Sequence, residues 1–167
     1  MSINIKNLIS FPLVFLAIAT LLLAGEVKAN TAVKRKDLCS GVDYKPLCRS
    51  VVKGITDPLT ATKVAISYAI IKTKQAYTQS KTMANNDNIK ICKEMYDDAI
   101  TNLEKSLKSL HVKDKGTLNS DLSAAISYFS TCDDSYAESG EDSPFATLNK
   151  ILEHMVDNCL VLVTQIR

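Results

Sequence analysis

Tryptophan is absent from this chain of 167 residues, phenylalanine occurs four times, and the backbone punctuators glycine and proline number only five and four. Beyond residue 40, apart from Gly41, the glycines and prolines stand where they leave long periodic stretches unbroken, so the chain reads as all-α. Histidine appears twice, as His111 and His154. Neither follows a glutamate by three residues, which removes the Glu-x-x-His pairs that metal-bridged carboxylate bundles need. His111 falls in a loop and His154 near the face of the last helix, both surface or rim positions. The glycines are isolated, so a nucleotide-binding fingerprint is missing too. Two acidic pairs, Asp97-Asp98 and Asp133-Asp134, invite an acid–base reading, but neighbours on a helix point roughly 100° apart and do not converge on one substrate atom. With no nucleophile beside a base, no ligand set and no phosphate cradle in view, the chain is expected to be no enzyme and to use no cofactor and no metal. No Asn-x-Ser/Thr acceptor occurs, so N-glycosylation is not expected.

What is present begins with a hydrophobic start. Lys6 precedes an apolar run from Leu8 to Ala24, broken only by Ser10, Pro12 and Thr20, and Val27-Lys28-Ala29 follows. This is the pattern of a secretory signal peptide ending on a small residue. A membrane anchor is the competitor; Pro12, the weak flanking charge and the small-residue exit favour cleavage. Residues 1–29 are therefore set aside, and the remaining 138 (167 minus 29) suit one domain with a real core. Without Lys6, Lys28 and Glu26 the chain keeps 18 basic and 17 acidic residues, a net of +1, which steers it towards neither nucleic acid nor a membrane. Lys34-Arg35-Lys36, the one basic run, reads as a solvated leader.

Secretion also lets disulfides persist. The five cysteines are Cys39, Cys48, Cys92, Cys132 and Cys159. Counting alone leaves many pairings open. One tight pair, one wide pair and one residue over suggest two bridges and a free thiol.

Helical periodicity narrows the choice. Cys92, Tyr96, Ala99, Leu103, Leu107 and Leu110 alternate steps of three and four over about Ile89 to Leu110, and Leu118, Leu122, Ala125, Phe129, Cys132 and Tyr136 repeat the rhythm after a loop at Lys113 to Gly116. So short a loop returns the second helix antiparallel to the first. Lys90 with Glu94, Lys93 with Asp97 and Glu104 with Lys108 stand at ion-pair spacing. A third helix has Ser143 as N-cap, Pro144 at its first position and Leu148, Leu152, Met155, Cys159, Leu162 and Ile166 as its stripe. Upstream, Asp57-Pro58 opens a fourth that reaches about Ser80, with Leu59, Ile66, Ile70 and Tyr77 inward.

The expected architecture is an up-and-down antiparallel four-helix bundle over residues 57–167, preceded by a helical hairpin over residues 30–56 that contains Cys39 and Cys48. Cys92 lies about 20 residues before the loop and Cys132 about 16 after it, so at roughly 1.5 Å per residue both sit about 25 to 30 Å from the turn. A bridge between them would tie the two helices at the end remote from their loop. Cys159 is left as a buried, inert thiol on a core face.

Four segments, in order, resemble the plant invertase and pectin methylesterase inhibitors. Cys39-Ser-Gly-Val-Asp-Tyr-Lys-Pro-Leu-Cys48 resembles that family's cysteine-bounded hairpin, and Cys92-Lys-Glu-Met-Tyr-Asp-Asp-Ala-Ile-Thr-Asn-Leu103 its third-cysteine helix. Leu122-Ser-Ala-Ala-Ile-Ser-Tyr-Phe-Ser-Thr-Cys132, followed by Asp133 and Tyr136, is similar to its fourth-cysteine motif, and Asn158-Cys-Leu-Val-Leu162 to its closing segment. The resemblance implies bridges Cys39–Cys48 and Cys92–Cys132 and a one-to-one inhibitor of a cell-wall or vacuolar carbohydrate enzyme. In the pectin methylesterase branch the bundle lies across the enzyme's cleft, and the resemblance implies that Thr131, beside Cys132, falls in that contact. The invertase branch presents Pro-Lys-Phe between its last two helices, where this chain reads Ser143-Pro144-Phe145 without the lysine. A tryptophan that often precedes the fourth-cysteine motif is replaced by Asp121.

The resulting expectation is a secreted inhibitor of pectin methylesterase, acting in the apoplast and cell wall or the vacuole, with acid invertase as the alternative target. Its contact is expected from Thr73, Tyr77, Ser127 and Thr131, with Pro144 and Phe145 between the last helices. The partner is that enzyme, with no nucleic acid and no membrane after signal cleavage. The chain is expected to be a monomer, hairpin exchange being the route to a dimer. The rival from another class is a secreted bundle carrying an apolar ligand in a cavity lined by alanines 65, 69, 76, 99, 124 and 125. A helical cytokine is disfavoured because its long crossover connections have no room here.

Overall fold

A computed structural model describes residues 37–167. The expected leader, residues 1–29, and the first part of the hairpin, residues 30–36, lie outside the described residues. A turn at residues 38–41 is followed by a short helix α1 (Lys45–Val51) and four long ones: α2 (Pro58–Lys81), α3 (Asp87–His111), α4 (Lys115–Glu138) and α5 (Ala146–Thr164). In the bundle α2 packs on α3, α3 on α4, α4 on α5 and α5 back on α2, while α2 and α4 stand at opposite corners. The α1 segment lies over α2 and α5.

Three helix starts follow from side-chain oxygens that satisfy otherwise orphaned backbone donors. Asp57 accepts from the Thr60 amide at 2.8 Å, Asn86 from Ile89 at 2.8 Å and Asp114 from Thr117 at 3.1 Å. The same bonds, with those from the Thr60 and Thr117 hydroxyls first in weight, hold the Asp57 and Asp114 carboxyls below their ordinary value. Because Asp114 is the cap, the loop at the bottom of α3 and α4 is shorter than expected and Gly116 lies inside α4. Lys113, not a glycine, takes the left-handed backbone there.

The last helix departs from expectation. It begins at Ala146, and Ser143 is not its N-cap; Phe145 holds that position with no side-chain hydrogen bond. Ser143 and Pro144 form a turn ahead of it, because Phe145 is drawn fully inside and the Ser143 hydroxyl is engaged elsewhere.

Core positions match the apolar stripes of α4 throughout and of α3 except at the half-buried Leu107. On α2 the inner face is narrower and smaller than expected: Ala61, Ala65, Ala69 and Ala76 are buried with Ile66 and Ile70, whereas Leu59 is 38% exposed. Thr62 and Thr73 are buried as well, each returning its hydroxyl to the carbonyl four residues back. A polar side chain enters a core cheaply when its own helix accepts its proton. The ion pairs formed are not the three expected ones. Glu104 reaches across to Lys74 of α2 and Lys90 pairs with Asp87.

Both bridges are present. Cys39 joins Cys48, and Cys92 joins Cys132 across α3 and α4 with Cα atoms 4.6 Å apart. Cys92 lies in the second turn of α3 and Cys132 two turns from the end of α4, so the bridge closes the pair opposite its loop. Chain-entropy reasoning gives the wide bridge, whose cysteines stand 40 residues apart, roughly 4 kcal/mol and the narrow one about 3. Replacing Cys92 and Cys132 together by serine is therefore expected to lower the urea-unfolding free energy more than replacing Cys39 and Cys48; the reverse order would contradict this account of the scaffold.

Candidate functional site

The end of the bundle held by Cys92–Cys132 carries a connected set of polar side chains. Tyr96, one turn below Cys92 on α3, is fully buried and touches Phe145 edge-on, with ring centroids 5.7 Å apart, and Phe129 at 6.4 Å. Its hydroxyl donates to Asn149 Oδ1 at 2.6 Å. Asn149, itself fully buried on α5, donates through Nδ2 to Asp133 Oδ1 of α4 at 2.8 Å. The Ser143 hydroxyl donates to the same Asp133 oxygen and accepts the Phe145 amide at 3.2 Å. One chain of hydrogen bonds thus links α3, α5, α4 and the connection between the last two helices. Burial, and after it the charge of Asp133, keeps the Tyr96 phenol protonated far above its ordinary range.

The α4–α5 side is acidic. Glu153 is pushed up first by burial and then by Asp133 and Asp157; Asp157 is raised mainly by burial. His154 stacks on Tyr44 with centroids 3.3 Å apart, and burial, followed by Lys150, lowers its pKa. It therefore serves as a flat packing partner for the hairpin. Asn158 adds a bond from Nδ2 to the Tyr44 carbonyl at 3.2 Å, and Gln165 one to the Leu38 carbonyl at 2.8 Å.

The expected contact residues are divided by the fold. Thr131 and Ser127 are exposed on α4, their hydroxyls bonded to the carbonyls of Ser127 and Ser123. Pro144 is exposed at the same end of the bundle as Thr131. Tyr77 is half-buried on α2 with the Lys81 ammonium 3.9 Å from its ring centre. Two expectations need correction. Thr73 is fully buried and donates to Ala69, and Phe145 is fully buried against Tyr96, so neither side chain is available to a partner. Because α2 and α4 are diagonal, Tyr77 does not share a helix pair with Ser127 and Thr131. The polar residue that sequence reasoning passed over is Asn149, while Ser143 is read there only as a helix cap. Asn149 stands beside the Leu148 and Leu152 stripe, and a lone amide at a core register was the available signal.

Chemically, this arrangement consumes its polar groups internally. Among the described residues no cluster of three or more His, Cys, Asp or Glu is placed to hold a metal. Cys159 is free but fully buried, and burial pushes its thiol up to about 12. What remains for a partner is shape and exposed polarity on a rigid end.

A family model described as plant invertase/pectin methylesterase inhibitor matches residues 35–162, well over half of the chain. A search of curated proteins finds no match.

Two outcomes follow from the buried groups. Since the folded thiol of Cys159 titrates above its ordinary 9.0, the stability it contributes is fully present below pH 9 and is lost as pH rises through about 12. Cys159→Val is expected to flatten that alkaline loss in pH-dependent unfolding, and an unchanged profile would contradict it. Tyr96→Phe leaves Asn149 Oδ1 buried without its donor and is expected to cost about 1–3 kcal/mol in denaturant unfolding. A neutral substitution would show that the network contributes nothing.

Proposed function

The chain belongs to the plant invertase/pectin methylesterase inhibitor family, and from that membership we propose that it inhibits pectin methylesterase by lying across the enzyme's substrate cleft. Family membership supplies the coarser function, inhibition of pectin methylesterase or invertase. The choice between the two rests chiefly on one observation. The element through which the invertase branch meets its enzyme has no lysine here, and its Phe145 is turned inside against Tyr96. Only Pro144 of that element is exposed. The contact is assigned instead to Thr131 and Ser127, exposed on α4, together with the exposed Pro144 and the half-buried Tyr77.

Mechanistically the inhibitor needs no reaction. A surface whose side chains are already fixed by hydrogen bonds and a disulfide loses little freedom on docking, so more of its contact free energy appears as affinity. Polymer access is then blocked sterically. The chain is assigned to the extracellular wall space, with residues 1–29 removed on export, residues 30–56 as a hairpin extension and residues 57–167 as the bundle. The vacuole is the alternative site if the target is invertase. No described helix is long and apolar enough to cross a membrane, in keeping with this assignment.

The carrier reading finds little support. The apolar gap beneath α1, lined by Leu47, Val51, Ala65, Tyr68, Met155 and Leu162 among others, admits about 10 Å³. That is room for roughly one water.

Titration of the mature, doubly bridged chain into a plant pectin methylesterase is expected to abolish methanol release at near-equimolar ratio, leaving an acid invertase active. Loss of glucose release with methanol release intact would reverse the target. Thr131→Arg is expected to weaken inhibition by at least about tenfold with the melting temperature unchanged, as for a side chain in the middle of a contact; full potency would remove Thr131 from the interface.

A further inference from the structure

The connection between α4 and α5, residues 139–145, has no helix of its own, and Gly140 supplies its left-handed step with φ of 70°. Its exposed Pro144 stands between two residues that point inward. Phe145, on one side, is buried against Tyr96. Ser143, on the other, donates to Asp133 Oδ1 and receives the Phe145 amide at 3.2 Å. Asn149 Nδ2, from the first turn of α5, ends on that same Oδ1 at 2.8 Å, and Tyr96 holds the far side of the Asn149 amide at 2.6 Å. A single carboxylate oxygen therefore gathers the groups on both sides of Pro144. One carboxylate oxygen has room for two donors. Without it, the connection would have to be ordered when a partner arrives, at a cost taken from affinity.

We propose that Asp133 is a positioning residue for target binding: by holding Ser143 and Asn149 on one oxygen, it presents Pro144 in a single conformation before the enzyme docks. This rests on the reading of the chain as a pectin methylesterase inhibitor with Pro144 in the contact. Asp133 itself is only partly exposed, and its Oδ1 is occupied from within, so its effect travels through the turn. The acceptor oxygen matters more than the charge, because both bonds terminate on it.

The test compares Asp133→Ala, Asp133→Asn and Ser143→Ala in the mature, doubly bridged chain. Amide hydrogen exchange of Ser143 and of residues 145–147 is measured in the free protein, and the dissociation constant is measured for pectin methylesterase. D133A is expected to speed exchange at the Phe145 amide and to weaken binding, each by about tenfold. S143A should move both in the same direction, and D133N, which keeps an acceptor at the same place, should stay near the parent chain. In a Pro144→Gly background D133A should weaken binding by no more than about twofold further, since the presented element is already gone. Unchanged exchange in D133A overturns the proposal whether or not the chain inhibits any enzyme. Faster exchange with undiminished affinity overturns it too, as does D133N being as damaging as D133A. Should D133A fail to fold, S143A carries the same test. A parent chain that binds no pectin methylesterase overturns the target reading and the binding half together, and is told apart by an exchange pattern that still follows expectation.

Discussion

The sulfur bridge between Cys92 and Cys132 joins α3 and α4 at the end where no loop does, and the rest of that end is arranged on it. Amphipathic helices driven together by burial alone are held along their length but are freest to part where the chain does not connect them. Here that freedom is removed covalently. Tyr96, one turn below the bridge, is thereby fixed in depth; its ring supports Phe145 and its hydroxyl orients Asn149. Asn149 in turn orients Asp133, and Asp133 the connection before α5. The order of the outer surface is thus inherited, step by step, from an inner covalent constraint.

This ordering bears on what kind of function the fold can carry. The Cys159 thiol is fully buried, and Tyr96, Asn149 and Asp133 are committed to internal bonds. An inhibitor that works by occupation asks for the opposite of a reactive centre: a surface that keeps its shape. The hairpin segment contributes at the other side of the bundle, where Cys39–Cys48 closes it on itself and the Tyr44–His154 stack and the bonds from Asn158 and Gln165 attach it to α5.

Much of the fold was legible because helical period and burial are coupled. Six positions on α4, from Leu118 to Tyr136, are all buried where a step of three and four places them, and equal distance from a loop set Cys92 opposite Cys132. The contact surface was read less well, and for identifiable reasons. Thr73 is polar by type yet buried, since its hydroxyl finds the Ala69 carbonyl within its own helix. Phe145 sits in a segment of turn-forming residues yet is core, since its environment is supplied by Tyr96 from a helix far away in sequence. Ser143 looked like a helix cap because the competing acceptor, Asp133, is brought to it only by the packing of α4 on the connection. Tyr77 and Thr131 looked like partners because period says nothing about which helices are diagonal.

The central claim is that a pinned helical scaffold acts through its outer surface, by occupation and without bond making. Isolation of the complex formed with pectin methylesterase, followed by dissociation and intact-mass measurement of both chains, tests it most directly. The expected result is a one-to-one complex from which both chains return with unchanged mass and the enzyme with its full activity. A covalent adduct, a cleaved chain, or the absence of any complex would contradict it.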